Sequence, residues 1–251
     1  MDGFTAQWSE VVPGVFRLGV ARVNCYLVVD EDGLTLVDAG LPGTRRALRS
    51  VLEHLGATIE DIEAIMFTHG HFDHVGMARG LQRTSMRMLV HPGDRRLLRH
   101  PYRYARESSP LVYPLRYPRT VPGLLAMTWN RALFVGGVAA TAELRHGEPA
   151  EVPGRPTVLW TPGHTNGHCG FFFERPGVLF TGDALVTLDP YTGERGPRII
   201  AGAATADSDR ALQSLDVFAE PDARMLLPGH GEPWTGGAAV AIERARAAGR
   251  R

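Results

Sequence analysis

Short runs of apolar residues recur along the first 37 positions and are separated by turn-forming residues. They predict three strands, at residues 15–18, 25–29 and 34–37. Asp32 and Gly33 precede the third run and favour a hairpin turn between the last two strands. The chain therefore begins with neighbouring antiparallel strands.

The pattern becomes helical after Pro42-Gly43-Thr44. Apolar side chains then recur at intervals of three and four, at Leu48, Val51, Leu52 and Leu55. This spacing places them on one face of a helix that begins near residue 44. Further strands are predicted at residues 65–67 and 88–90.

The second half of the chain repeats this succession of strands and helices. Strands are predicted at residues 158–160, 170–173 and 178–180. A helix is predicted over 205–219, with Leu212, Leu215 and Phe218 on one side, and an alanine-rich helix over 236–248. Two halves of alternating strands and helices indicate a layered α/β protein.

Three histidines and one aspartate fall within six consecutive positions, at His69, His71, Asp73 and His74. Imidazole and carboxylate at this density favour a borderline-soft divalent ion, zinc above all. If the strand at 65–67 continues, His69 and His71 point to one side, because alternate residues of an extended chain share a face. Asp73 and His74 are adjacent and cannot point the same way, so they suit a second ion beside the first.

Three later motifs add one candidate ligand each. They are His164 in residues 161–165, Asp183 in residues 181–183 and His230 in residues 228–231. Each candidate follows a short apolar run and lies beside glycine, which is typical of loops at strand ends that approach a metal closely.

In these motifs, and in their order, the chain resembles the metallo-β-lactamase superfamily of metal-dependent hydrolases over nearly its whole length. The resemblance implies a four-layer αβ/βα sandwich in one domain, residues 1–251. It implies two Zn²⁺ per chain, with iron or manganese as alternatives. Carried over by position, the first ion takes His69, His71 and His164. The second takes Asp73, His74 and His230, and Asp183 bridges both.

The chemistry expected of such a centre is hydrolysis. Two ions about 3.5 Å apart share one hydroxide, because metal binding lowers the pKa of water from about 15.7 toward about 7. One ion polarises the scissile carbonyl or phosphoryl oxygen and the other stabilises the leaving anion. Asp183 as the bridge and Asp73 as a group that orients the nucleophile are therefore predicted to be catalytic.

The composition of the chain limits the partners and the cellular location that are expected for it. Zero formal net charge gives no overall attraction to nucleic acid, and no apolar run is long enough to span a membrane. The first five residues lack the pattern of a secretory signal, and two cysteines do not form a disulfide framework, so a cytoplasmic location is expected. All 27 basic residues are arginine, which excludes lysine chemistry.

The stretch from about 101 to 140 is rich in proline and aromatic residues and predicts an irregular lid. As a lid it would bind an apolar or acyl group of a small-molecule substrate, with Trp129 and Phe134 as contact residues. Tyr191, in the loop 185–198, is a candidate donor to the substrate oxygen. The alternatives for 101–140 are an extra packing layer or a homodimer interface. The arginines between residues 79 and 106 suit either an anion site or a solvated helix face.

Differences between this sequence and individual members of the superfamily limit the reactions that are expected. β-Lactamases usually have cysteine or serine at the position of Asp183, and glyoxalase II carries a long helical tail where 21 residues follow His230 here. Lactonases place tyrosine where this chain has Val186, although Tyr191 is close in sequence. Nucleases generally carry large accessory domains. An ester, thioester or lactone hydrolase is therefore favoured over a phosphodiesterase or a β-lactamase.

Two other classes of protein use the same scaffold. Persulfide dioxygenases bind one iron, here through His69, His164 and Asp183, whereas the intact second ligand set favours two metals. Non-catalytic binding modules typically lose ligands, and this chain retains all seven. Metal content separates the three classes.

Overall fold

The computed structural model describes residues 4–251. The interpretation that no secretory signal is present rests largely on residues 1–3, which lie outside this range. Within residues 4–251, no helix combines the length and the apolar character needed to cross a bilayer.

The first sheet contains seven strands that lie side by side in chain order. They are β1 (Gln7–Val12), β2 (Val15–Val20), β3 (Val23–Asp30), β4 (Gly33–Val37), β5 (Ile62–Met66), β6 (Arg87–Val90) and β7 (Ala142–Glu143). Neighbours from β1 to β4 are antiparallel, and neighbours from β4 to β7 are parallel. The parallel half follows from the helical crossovers that join its strands.

The second sheet is smaller and begins with three antiparallel strands, β8 (Thr157–Trp160), β9 (Cys169–Phe173) and β10 (Val178–Gly182). A separate hairpin follows, made of β11 (Val186–Leu188) and β12 (Arg195–Arg198). The last strand, β13 (Met225–Pro228), then pairs parallel to β10.

Eight α-helices lie among the described residues. They are α1 (Arg45–Leu55), α2 (Phe72–Val75), α3 (Ala78–Leu81), α4 (Arg95–Arg99), α5 (Tyr113–Arg116), α6 (Val121–Trp129), α7 (Ser208–Ser214) and α8 (Ala238–Ala248). Short 3-10 turns adjoin them at Pro42–Thr44, Ile59–Asp61, Pro92–Asp94, Pro110–Val112, Pro118–Thr120, Ala132–Phe134 and Leu215–Ala219.

Three buried clusters show how these elements stack. One packs the first sheet against α1, a second joins the inner faces of the two sheets, and a third packs the second sheet against α7 and α8. In α1 the apolar stripe includes Leu48 and Val51, both fully buried. Each such side chain contributes about 1.5–3 kcal/mol to the free energy of folding. The predicted four-layer αβ/βα sandwich is confirmed.

The start of one predicted helix and the segment predicted to be irregular differ from the structure. The helix predicted over 205–219 begins at Ser208, because the Asp207 side chain caps it by accepting from the Arg210 amide at 2.9 Å. Its last turn is a 3-10 helix. The stretch 101–140 is not irregular, since it contains α5 and α6. Their prolines occupy first-turn positions, where a missing amide hydrogen costs nothing.

Candidate metal centre

The seven predicted ligands converge at one edge of the sandwich, where strands of both sheets end. Four lie just after β5, and the other three follow β8, β10 and β13. All seven are buried, namely His69, His71, Asp73, His74, His164, Asp183 and His230. Strand ends of both sheets therefore bring together residues that are far apart in the chain.

His69, His71 and His164 form one group of ligand atoms, all within 4.8 Å of one another. His71 Nδ1 and His164 Nε2 are 3.1 Å apart. Asp73, His74 and His230 form another group of the same dimensions, in which His230 Nε2 lies 3.5 Å from Asp73 Oδ2.

Asp183 lies between the two groups. Its Oδ2 is 3.6 Å from His164 Nε2 and 3.2 Å from His230 Nε2. Its Oδ1 is 3.4 Å from His74 Nε2. The carboxylate therefore faces both groups at once, as a bridging ligand must.

Four polar atoms of this cluster are fully buried and have no hydrogen-bond partner among residues 4–251. They are His69 Nε2, His71 Nε2, His74 Nε2 and Asp183 Oδ1. Unpaired buried polar atoms are costly and rare in folded proteins. Cations would satisfy them, and imidazole with carboxylate is a donor set suited to zinc. The residues present therefore fit the metal centre that the resemblance implies.

The electrostatics of the cluster favour, for several side chains, the protonation state that can bind a metal. Burial, reinforced by the neighbouring histidines, lowers the pKa of His69 and His71 well below the ordinary value, and burial lowers that of His164 to about 4. Neutral imidazole is the form that binds metal. Burial raises the pKa of Asp183, but the nearby His230 and His74 outweigh it and hold that pKa well below its usual range.

Polar contacts behind the ligands orient them. Asp38 Oδ2 lies 2.8 Å from His74 Nδ1, and the Thr68 hydroxyl donates to the same oxygen at 2.8 Å. Thr68 Oγ1 is 3.0 Å from His69 Nδ1, and His230 Nδ1 donates to the Arg22 carbonyl at 2.8 Å. Such partners fix the ring orientation and leave Nε2 of these histidines directed toward the metal.

Asp94 joins two of the ligand loops. Its carboxylate accepts from the Gly70 amide at 3.0 Å and from the Thr165 hydroxyl and the Gly167 amide, each at 2.8 Å. Burial raises the pKa of this carboxyl above its ordinary value, although these hydrogen bonds oppose the shift. Asp94 therefore holds the His69–His71 loop beside the His164 loop.

His168 makes a positioning contact with the loop that follows β10. Its Nε2 accepts from the amides of Asp183 and Ala184, at 3.0 and 3.2 Å, while its Nδ1 lies 2.8 Å from the Thr161 hydroxyl. The ring thus orients the loop that carries the candidate bridging aspartate.

A small cavity of about 50 Å³ opens onto the cluster. Four candidate ligands line it, namely His71, Asp73, Asp183 and His230, and its other walls include Tyr104, Leu124, Met127, Pro190 and Tyr191. Burial, followed by the charge of Tyr104, raises the pKa of Tyr191 well above its ordinary value, so its phenol stays protonated and can donate. Tyr104 packs against His71 in a tilted arrangement with ring centroids 4.2 Å apart, and burial raises the pKa of its phenol, so it is a second candidate donor.

The choice of Trp129 and Phe134 as lid contacts is wrong. Their side chains are 75% and 79% exposed, and neither lines the cavity. Helix α6 turns Leu124 and Met127 toward the metal ligands, so Trp129 points elsewhere. The segment 101–140 does cover the site, but through Tyr104, Leu124 and Met127. A homodimer interface on its exposed apolar side chains stays a prediction.

Three of the eight arginines between residues 79 and 106, namely Arg83, Arg87 and Arg95, have partners away from the cluster. Arg83 donates to the carbonyls of Ile59 and Glu60, and Arg95 pairs with Glu143 at 2.7 Å. None of these arginines lines the cavity beside the metal ligands. Of the two alternatives for this arginine-rich stretch, the solvated helix face accounts for these contacts.

Comparison with known proteins agrees with this arrangement. The family model described as the metallo-beta-lactamase superfamily matches residues 18–230. The probable metallo-hydrolase YflN of Bacillus subtilis (strain 168) is 26% identical over 242 residues, which cover 90% of this chain and 87% of that protein.

The chain is also similar to part of a longer enzyme and to a protein of known structure. Hydroxyacylglutathione hydrolase of Synechococcus sp. (strain JA-2-3B'a(2-13)) is 34% identical over 176 residues, 68% of this chain and 52% of that protein. The crystal structure of TTHA1623 in a di-iron-bound form superposes with a TM-score of 0.59 and 25% identity, covering 87% of this chain and 92% of that one.

Proposed function

The chain belongs to the metallo-β-lactamase superfamily, and on that premise we propose that it is a dinuclear metal-dependent hydrolase. Its substrate is a small molecule with an ester, thioester or lactone bond and an apolar or acyl group. Zinc is the proposed metal, because a donor set of imidazole and carboxylate suits it.

The observation that carries the proposal is the pair of ligand groups that share Asp183. His69, His71 and His164 would hold one ion. Asp73, His74 and His230 would hold the other, and each group has an Asp183 carboxylate oxygen within 3.6 Å of one of its histidines. An enzyme that uses one metal would need only one of these two groups, so the presence of both supports two metals.

When bound, the two ions supply Lewis acidity, which lowers the pKa of water and polarises the scissile carbonyl. The chain itself supplies orientation. Asp38 and Thr68 fix the rings of His74 and His69, and His168 fixes the Asp183 loop. The protonated phenols of Tyr104 and Tyr191 stand across the cavity, where they would donate to the oxygen that gains charge during hydrolysis.

The apolar substrate group is supported by a second cavity of about 250 Å³ that shares Leu124, Pro190 and Tyr191 with the first. Its remaining walls are almost entirely apolar and include Leu111 and Tyr113. An acyl chain that enters past Leu124 would leave its carbonyl beside the metal ligands. The relatives' names agree, since one is called a probable metallo-hydrolase and another hydrolyses an acylglutathione.

We expect purified protein reconstituted with zinc to contain close to two ions per chain and to hydrolyse members of a panel of esters, thioesters and lactones. Elemental analysis and a hydrolysis assay on the same sample test this expectation. A chelator should remove the ions and the activity together, and added zinc should restore both. One iron per chain with oxygen consumption on a persulfide would contradict the proposal, as would full hydrolysis without metal.

We expect hydrolysis to depend on acyl length. Each added methylene that enters the apolar cavity should raise kcat/KM by the equivalent of about 1–3 kcal/mol until the cavity is filled. Leu124→Ala removes the side chain shared by the two cavities and should flatten this dependence.

Leu125→Ala is the matched control for this experiment, because it makes the same change on the adjacent residue of α6, whose side chain is 59% exposed. It should leave the acyl-length profile as in the unaltered protein. If Leu124→Ala also preserves the profile, the acyl group binds elsewhere.

A further inference from the structure

A third cavity, of about 250 Å³, is lined by a different face of α6 from the cavity at the candidate metal ligands. Its walls come from the β2–β3 turn at Arg22, from the first turn of α6 at Pro122 and Gly123, and from Arg195 and Glu232. It neighbours the candidate metal centre, since Gly231 lines it and the preceding residue, His230, donates from Nδ1 to the Arg22 carbonyl.

Two of the three charged residues in its wall are arginines, Arg22 and Arg195. Among the described residues, no carboxylate forms an ion pair with Arg22 or Arg195. Glu232 is already paired with Arg17, at 2.6 Å. Burial, followed by the charge of Arg195, lowers the pKa of Arg22 from its ordinary value, as expected of two guanidinium groups that face one cavity.

The local backbone places Arg22 between this cavity and the metal centre. Ala21 and Arg22 adopt φ values of 52° and 69°, a left-handed conformation that is uncommon for residues other than glycine. The turn aims the Arg22 carbonyl at His230 Nδ1. Its guanidinium passes over Gly123, where a β-carbon would lie only 3.3 Å from Nε.

We propose that this cavity is an oxyanion subsite in which Arg22 and Arg195 bind a carboxylate or phosphate group of the substrate. Guanidinium groups match both oxyanions in geometry and charge. The inference rests on the proposed function and makes it more specific. Because the apolar cavity takes the acyl group, the anion belongs to the alcohol or thiol that leaves.

Two matched pairs of thioesters test the subsite. S-butyryl-N-acetylcysteine differs from S-butyryl-N-acetylcysteamine by one carboxylate, and S-butyryl-phosphopantetheine differs from S-butyryl-pantetheine by one phosphate. In the zinc-loaded protein, kcat/KM should favour the anionic member of at least one pair by about tenfold, the scale of one charge-assisted hydrogen bond. The pair with the larger preference identifies the oxyanion.

The preference should disappear in Arg22→Gln and in Arg195→Gln. Arg49→Gln is the matched control, because Arg49 is exposed on α1 and lies outside the cavity. It should retain the full preference. Equal kcat/KM within both pairs, or a preference that survives Arg22→Gln together with Arg195→Gln, would overturn the proposal.

Direct binding separates this inference from the proposed function. Calorimetric titration with glycerol 1-phosphate and with glutarate should show binding of at least one probe that weakens about tenfold in the double variant and is unchanged in Arg49→Gln. If no ester, thioester or lactone is hydrolysed but this binding is seen, the hydrolase proposal fails and the subsite stands. If thioesters are hydrolysed but neither probe binds through these arginines, the subsite is wrong and the hydrolase stands.

Discussion

Asp183→Ala should remove metal and hydrolysis together. The carboxylate contacts histidines of both ligand groups, and its negative charge reduces the repulsion between two cations held close together. Loss of a group that only orients a ligand typically costs 10–100-fold in metal affinity or activity. Loss of the shared ligand itself should therefore lower kcat/KM by more than about a hundredfold. Elemental analysis and kinetics on the same preparation measure both effects.

Asp183→Asn tests whether the charge or the shape of this side chain is needed for metal binding, because the amide keeps the size of the side chain and loses its charge. It should also lose metal, while circular dichroism remains that of the folded protein. Asp216→Ala is the control, since that carboxylate is exposed and pairs with Arg246 on the surface. Two zinc ions and undiminished hydrolysis in Asp183→Ala would show that Asp183 does not bridge.

Local patterns in the sequence were sufficient to predict the layers of the fold. Period-two and period-3.6 spacing in the chain reflects burial of one face, and the buried face of α1 carries the Leu48 and Val51 predicted for it. The short strand β7 escaped notice because two residues cannot show a period. The boundary of α7 depends on one side-chain cap at Asp207, which spacing does not reveal.

The candidate ligands could be found in the sequence because four of them fall within residues 69–74, and the other three, His164, Asp183 and His230, each lie where an apolar run ends beside a glycine. The same rule applies to Asp38, which follows β4 and precedes Ala39-Gly40, so it could have been found in this way. Asp94 could not, because it lies in an arginine-rich stretch, and its three partners come from loops at residues 70, 165 and 167. Its role exists only in the folded chain.

The errors in the segment 101–140 have a similar cause. Aromatic content indicated a binding wall but not which side chains face inward. Helix α6 is apolar on several sides, so periodicity does not distinguish Leu124, which lines the metal cavity, from the exposed Trp129. Only the packing of α6 over the cluster makes that distinction.

Gly229→Ala should disrupt the metal centre without changing any ligand. Gly229 precedes His230, and a β-carbon there would overlap Asp183 Oδ1 and lie 2.7 Å from His74 Cε1. Neither neighbour can yield, because Asp38 holds His74 and His168 holds the Asp183 loop. We expect a destabilisation of about 1–3 kcal/mol, the usual cost of overpacking. Zinc affinity should fall by at least about tenfold, since the ligands are displaced.

Gly80→Ala is the matched control for this steric argument. It introduces the same methyl group, but the nearest atom is Arg45 Nη1 at 3.1 Å, the end of a flexible side chain. Competition with a chromogenic chelator measures zinc affinity in both variants, and urea unfolding measures their stability. Gly80→Ala should resemble the unaltered protein in both measurements. Unchanged zinc affinity in Gly229→Ala would mean that Asp183 and His74 have room to move, and that close packing behind the ligands does not hold the centre in place.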